Sequence, residues 1–111
     1  MSKRYCLALD LIDDCALMAV YEEWHKAIWP EIRASITSSG IVQMEIYRVS
    51  NRLFMIMDVD ESFSFEAKKK ADEGNEKVQE WEALMWNFQQ PLPFAKQGEK
   101  WVVMKKIFAL K

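Results

Sequence analysis

The sequence predicts an α+β fold of the ferredoxin-like, split βαβ kind: an antiparallel sheet with helices on one side, paired into a dimeric α+β barrel. Three observations carry that reading. Strand-like and helix-like segments follow one another as strand, helix, strand, strand, helix, strand, and right-handed crossovers turn that order into a split βαβ. The helical segments carry apolar stripes at helical spacing. One strand, Leu53 to Val59, is apolar on both faces, so helices on one side alone leave an apolar face bare. A second copy packing sheet to sheet covers that face, which predicts a homodimer.

Each element has a local cause. Tyr5 to Asp10 mixes β-formers with small residues and reads as the first strand. Asp13 or Asp14 caps a helix, because a carboxylate accepts the orphan backbone N–H groups there. Leu17, Tyr21, Trp24 and Ile28 then form one apolar stripe. Pro30 disfavours a helical Trp29 and suits the first helical position, so the helix breaks and a second begins at Pro30. Ile32 and Ile36 give this second helix its apolar edge, and Gly40 ends it. Ile41 to Val49 and Leu53 to Val59 are strands joined by a hairpin at Ser50-Asn51-Arg52. A helix runs from about Ser62 to Glu73 and breaks at Gly74. Another runs from near Asn75 through Phe88, with Val78, Trp81, Met85 and Phe88 as its stripe. Pro91 and Pro93 stop it. Gln90 to Gly98 reads as a loop, and Trp101 to Leu110 as the last strand.

Composition narrows the function. The chain has 111 residues, half of them hydrophobic, with five Trp and a net charge of −2. That suits one folded domain spanning 1–111. The longest run of like charge is Lys68-Lys69-Lys70, so no basic stripe exists for nucleic acid. No apolar run approaches the ~20 residues of a membrane helix. Met1-Ser2-Lys3-Arg4-Tyr5 leads into the first strand without a signal-peptide block. Cys6 and Cys15 lack metal or redox spacing and read as buried free thiols in a reducing cytoplasm. One His and two separated Cys do not make a zinc site, and neither a nucleotide-binding glycine loop nor a nucleophile motif is present.

The chemistry-bearing stretch is Tyr21-Glu22-Glu23-Trp24-His25. His25 is the only histidine, and an ordinary imidazole gives and takes protons near neutrality. Tyr21 stands one helical turn earlier on the same face, placed to orient the imidazole or to share a substrate hydroxyl with it. Among the carboxylates, Glu45 inside a strand and Glu82 on an aromatic helix stand out. Trp81 and Trp86 read first as core residues; facing a cavity, they would offer the rigid, amphipathic surface against which a sugar's C–H face stacks.

The stretch Tyr21-x-x-x-His25-x-x-Ile28-Trp29-Pro30-Glu31 resembles the signature of the L-rhamnose mutarotase family. The likeness continues through Gly40, Ile46-Tyr47, Asn51-x-Leu53-Phe54 and Val78-Gln79-x-Trp81. It implies a dimeric ferredoxin-like fold, His25 as acid/base catalyst, and Tyr21 and Trp81 in contact with the sugar. Opening and closing a pyranose needs only proton transfers, so neither a metal nor another cofactor is expected. Two sugar-pocket positions depart from the rhamnose enzymes: Met44 stands where they carry Tyr, and Glu82 where they carry a second Trp. The run from Gln79 to Pro93, with Gly98-Glu99-Lys100-Trp101-Val102 and Met44-Glu45-Ile46, is instead similar to the L-fucose mutarotase branch. The expected activity is therefore anomer interconversion of a 6-deoxy-hexose, L-fucose favoured and L-rhamnose next. The group handling the second proton stays open between Glu45, Tyr21 and water. Two other readings compete: a ferredoxin-like dimeric haem-binding protein or monooxygenase, and a non-catalytic sugar-binding module.

Overall fold

The computed structural model describes residues 3–111, leaving Met1 and Ser2 outside. Its elements are β1 (Lys3–Leu11), α1 (Cys15–Lys26), α2 (Pro30–Ser38), β2 (Ile41–Val49), β3 (Arg52–Val59), α3 (Phe65–Glu73), α4 (Glu76–Trp86), β4 (Gln89–Gln90) and β5 (Val102–Val103). The sheet order is β2-β3-β1-β4, with β5 also on β1, and every pairing is antiparallel. That is the expected split βαβ arrangement.

The helix boundaries follow from caps. The Asp14 carboxylate accepts the Leu17 N–H at 3.0 Å and starts α1. Trp29 is extended (φ −60°, ψ 141°), with Pro30 behind it as the first residue of α2. α1 itself stops at Lys26, so Ile28 lies in the connection rather than on the helix. Ser64 caps α3 and Asn75 caps α4. α3 begins three residues after the expected Ser62, because Asp60 folds the preceding turn by accepting both the N–H and the hydroxyl of Ser62. α4 ends at Trp86, two residues short of Phe88.

Strand alternation divides the sheet. Leu7, Leu9 and Leu11 of β1 and Leu53, Met55, Met57 and Val59 of β3 are buried beneath the helices. Burying such a side chain is worth about 1.5–3 kcal/mol. Phe54 and Ile56 sit half-exposed on the opposite face, where Arg52 holds Asp10 with two hydrogen bonds and Arg4 does the same for Asp58. The hairpin turn is tighter than expected. Val49 pairs with Arg52, so Ser50-Asn51 alone turns the chain. Asn51 locks that turn onto β1 by donating its side-chain amide to the Leu11 carbonyl at 3.0 Å.

Gly40 has φ +99°, and a Cβ there would lie 2.7 Å from both Asp60 Oδ1 and Ser62 Oγ. Those atoms are already bonded to each other, so neither gives way freely. Gly40→Ala is expected to cost about 1–3 kcal/mol, read as a lower urea midpoint with an unchanged m-value.

Three expectations need correction. Cys15 is exposed at the start of α1 and Cys6 is half-buried, so neither thiol is a buried one. Gln90, expected to open a loop, instead pairs with Asp10, and Gln89 beside it pairs with Leu11, as β4. The last strand is much shorter than Trp101 to Leu110: Val102 and Val103 pair with Ala8 and Leu7, and the Met104 N–H reaches the Cys6 carbonyl at 2.7 Å. Beyond it the chain leaves the sheet. A strand needs an edge in register as well as an apolar pattern, and β1's outer edge is already shared with β4.

Candidate active site

Two clusters of buried side chains form the interior. One gathers Tyr21, Trp81, Met85 and Phe88 with the ends of β1 and β3; the other gathers Leu7, Ile41, Met55, Met57 and Val59. Between sheet and helices lies a cavity of about 390 Å³, within the usual size for a small-molecule site. Its wall is chiefly apolar. The polar groups are few: Tyr21, His25, Ser35, Lys68, Glu82, Gln89 and Lys100.

α1 supplies the first pair. Tyr21 is buried, and its phenolic oxygen accepts a hydrogen bond from the buried Gln89 amide at 3.3 Å. Burial pushes the phenol above its ordinary value and the Gln89 bond draws it partly back. It therefore rests protonated at neutral pH, available as a donor and not as a phenolate base. His25 lies one turn later, its ring centre 4.4 Å from that of Tyr21. His25 Nδ1 is 2.9 Å from the Tyr21 main-chain oxygen. A carbonyl only accepts, so this bond puts the proton on Nδ1 and leaves Nε2 with its lone pair.

α4 supplies the second pair. The Trp81 ring stands edge to face against His25 at 5.6 Å, Trp29 at 5.1 Å and Trp24 at 6.3 Å. Trp29 is held there by the helix start at Pro30, so the chain break and the aromatic packing behind Trp81 are one feature. Glu82 also lines the cavity, with Lys100 Nζ 4.0 Å from its carboxylate. Lys100 in turn lies 5.0 Å over the Trp86 ring.

Five of the expected site residues, Tyr21, His25, Met44, Trp81 and Glu82, thus meet at one cavity. Glu45 does not. It is exposed and paired with Ile56 on the sheet's other face, because neighbours along a strand point oppositely and Met44 takes the inward position. It is withdrawn as the second proton-handling group. Sequence reasoning missed Gln89, Lys68 and Lys100. Gln89 had no local signal, since its burial comes from pairing with Leu11. Lys100 sat within a stretch already noted for its likeness but had no role. Among the described residues no three His, Cys, Asp or Glu side chains cluster as metal ligands, and no helix is long and apolar enough to cross a membrane.

Comparison with known proteins places the chain in a family. The profile of the L-rhamnose mutarotase family matches residues 4–110. An L-fucose mutarotase of Xanthomonas campestris pv. campestris is 48% identical over 110 residues, covering 97% of this chain and 88% of the relative. The crystal structure of an L-rhamnose mutarotase from Formosa agariphila superposes with a TM-score of 0.72 at 20% identity, over 98% of this chain and 99% of that one. A dimeric ferredoxin-like protein from an uncultured marine organism gives 0.52 at 11% identity, over 97% and 91%. At those identities the two structures bear on the fold alone.

Proposed function

The chain belongs to the L-rhamnose mutarotase family, and from that premise we propose that it is an aldose mutarotase of 6-deoxy-hexoses, with L-fucose favoured and L-rhamnose next. The observation that carries this is His25 at the cavity wall, one ring nitrogen tied to the Tyr21 carbonyl and the other free.

The reaction asks for little machinery. His25 Nε2 takes the proton from the anomeric hydroxyl as the bond between C1 and the ring oxygen breaks. The ring oxygen takes up a proton from the neutral Tyr21 phenol or a water. The free aldehyde turns about C1–C2. Closure on the other face reverses both transfers, so no proton is gained or lost overall. Trp81 gives a stacking face, and Glu82 accepts from sugar hydroxyls. No nucleotide or metal takes part in these steps.

L-Fucose comes first for two reasons. The 48%-identical relative is an L-fucose mutarotase, and the departures from the rhamnose enzymes, Met44 and Glu82, both line the cavity. The enzyme works as a homodimer in the cytoplasm, a reading supported by the half-exposed Phe54 and Ile56 on the sheet face away from the helices and by the free thiols. Saturation-transfer NMR of both sugars tests the whole. Anomer exchange is expected to rise above the spontaneous rate for both, more for L-fucose. A clear preference for L-rhamnose overturns the assignment of substrate; exchange at the uncatalysed rate for every sugar leaves a binding module and overturns the enzyme.

A further inference from the structure

Among the described residues, Asp10 and Gln89 are the buried polar or charged ones. Asp10 has its reason in Arg52, which binds it twice. Gln89 has no charged partner. Its pairing with Leu11 uses main chain alone, so β4 needs no amide at that position. Burying an amide costs free energy that an apolar side chain of the same length does not. Among the described residues its side chain makes one hydrogen bond, from Nε2 to the Tyr21 phenolic oxygen at 3.3 Å. Gln89, Tyr21 and His25 all line the cavity. Tyr21 thus lies between two donors. Its main-chain oxygen takes the His25 Nδ1 proton, and its phenolic oxygen takes the Gln89 N–H. The first bond leaves His25 Nε2 to accept. An amide N–H only donates and a phenol has one proton, so the second bond leaves Tyr21 to donate. Among the described residues nothing accepts that proton, and the cavity is where an acceptor would sit.

We infer that Gln89 is a positioning residue: its amide holds the Tyr21 hydroxyl with the proton turned into the cavity, and so selects Tyr21 over water as the group that protonates the sugar's ring oxygen. The inference rests on the mutarotase reading above and names its second proton-handling group. On opening, the bond between C1 and the ring oxygen breaks and the Tyr21 proton goes to that oxygen. At the same time His25 Nε2 takes the proton of the anomeric hydroxyl, and C1 becomes a carbonyl carbon. Tyr21 is then a phenolate beside an imidazolium, so the pair as a whole stays neutral. The ring centres are 4.4 Å apart, close enough for the two charges to support each other. The Gln89 N–H strengthens as its acceptor gains charge, which favours the opened state over the resting one. Closure returns the ring-oxygen proton to Tyr21 and the His25 proton to the carbonyl oxygen. The phenol's acidity points the same way: burial raises its pKa, and the Gln89 bond draws it partly back.

The test is a cycle of three full-length variants, Gln89→Met, Tyr21→Phe and the two together, with L-fucose anomer exchange read by saturation-transfer NMR from neutral to alkaline pH. Methionine keeps the length of the side chain and removes its donor. Gln89→Met is expected to lower kcat about 10- to 100-fold with KM changed less than about threefold, as for loss of one oriented donor. Tyr21→Phe is expected to lower kcat at least as far. Adding Gln89→Met to Tyr21→Phe is expected to cost nothing more, because the amide acts only through the phenol. The pH profile gives a readout that packing alone would not move. Without the N–H donor the phenol holds its proton to higher pH, so the alkaline limb of kcat shifts upward in Gln89→Met. Gln89→Asn, too short to reach the phenol, takes the place of Gln89→Met should the latter not fold. Unchanged kcat, an alkaline limb that stays put or moves down, or losses that add in the double variant each overturn the role of Gln89 while leaving the mutarotase standing. A parent chain that speeds exchange of no sugar overturns both.

Discussion

His25→Ala keeps the fold and loses most of the catalysed anomer exchange, a fall of about 10²–10⁴-fold toward the spontaneous rate, the usual contribution of one positioned acid/base. The fold should survive because the ring belongs to neither buried cluster. Its one hydrogen bond is to the Tyr21 carbonyl, which already sits inside α1. Activity should fall because the neighbours replace the imidazole poorly, Glu82 being assigned to a sugar hydroxyl. Lys68 is held by Asp72 at 2.9 Å, and Lys100 stands beside Glu82. The Tyr21 phenol, raised by burial, has no lone proton-accepting charge at neutral pH. His25→Gln separates size from chemistry: it keeps a polar side chain yet cannot shuttle a proton, so it should fall as far as alanine. The measurement is the L-fucose exchange rate by saturation transfer, with thermal melts beside it. A variant that melts like the parent and exchanges like the parent removes the histidine from the mechanism.

The parts of this molecule that are legible in its sequence are those fixed by neighbours along the chain. Pro30 sets a helix start through its own ring, Gly40 a turn through its own φ, and Asn75 a cap through its own side chain. Tyr21 and His25 meet because they are one helical turn apart, and that suffices once the helix is recognised. The parts that were not legible depend on distant chain. The last strand was over-read because an apolar run states a wish for an edge without naming one, and β1 offers Val102 and Val103 alone a place in register. Gln89 looks like a loop residue until β1 pairs with it and Tyr21 comes to rest on its amide. Glu45 and Met44 both read as site residues in the sequence, although adjacent strand residues point to opposite faces. Alternation decides between them once the covered face of β2 is known, and a register irregularity between Ile41 and Gln43 sets that phase.

Glu82→Ala is expected to cut kcat/KM for L-fucose by about 10- to 100-fold and to leave L-rhamnose much less affected. The size follows from one charge-assisted hydrogen bond, worth about 1.5–3 kcal/mol, converted to a rate ratio. The asymmetry follows from what the two sugars share. Both are 6-deoxy-hexoses and both need His25 at the anomeric end, so a residue that separates them must read a hydroxyl of differing stereochemistry. Glu82 is suited to that, since it lines the cavity and its neighbour Lys100 stands 4.0 Å from its carboxylate without closing on it. Because the bond forms to bound sugar before the ring opens, the loss should appear chiefly in KM, with kcat changed less. Glu82→Trp carries the argument a step further. It exchanges an acceptor for stacking area, the residue type found at this position in the rhamnose enzymes the sequence resembles, and should move preference toward L-rhamnose. Lys100→Met is the control: it removes the nearby cation while keeping the acceptor, and should leave the sugar ratio near that of the parent chain. If Glu82→Ala slows both sugars equally, the carboxylate supports the site in general and the discrimination must lie elsewhere, with Met44 as the next position to change.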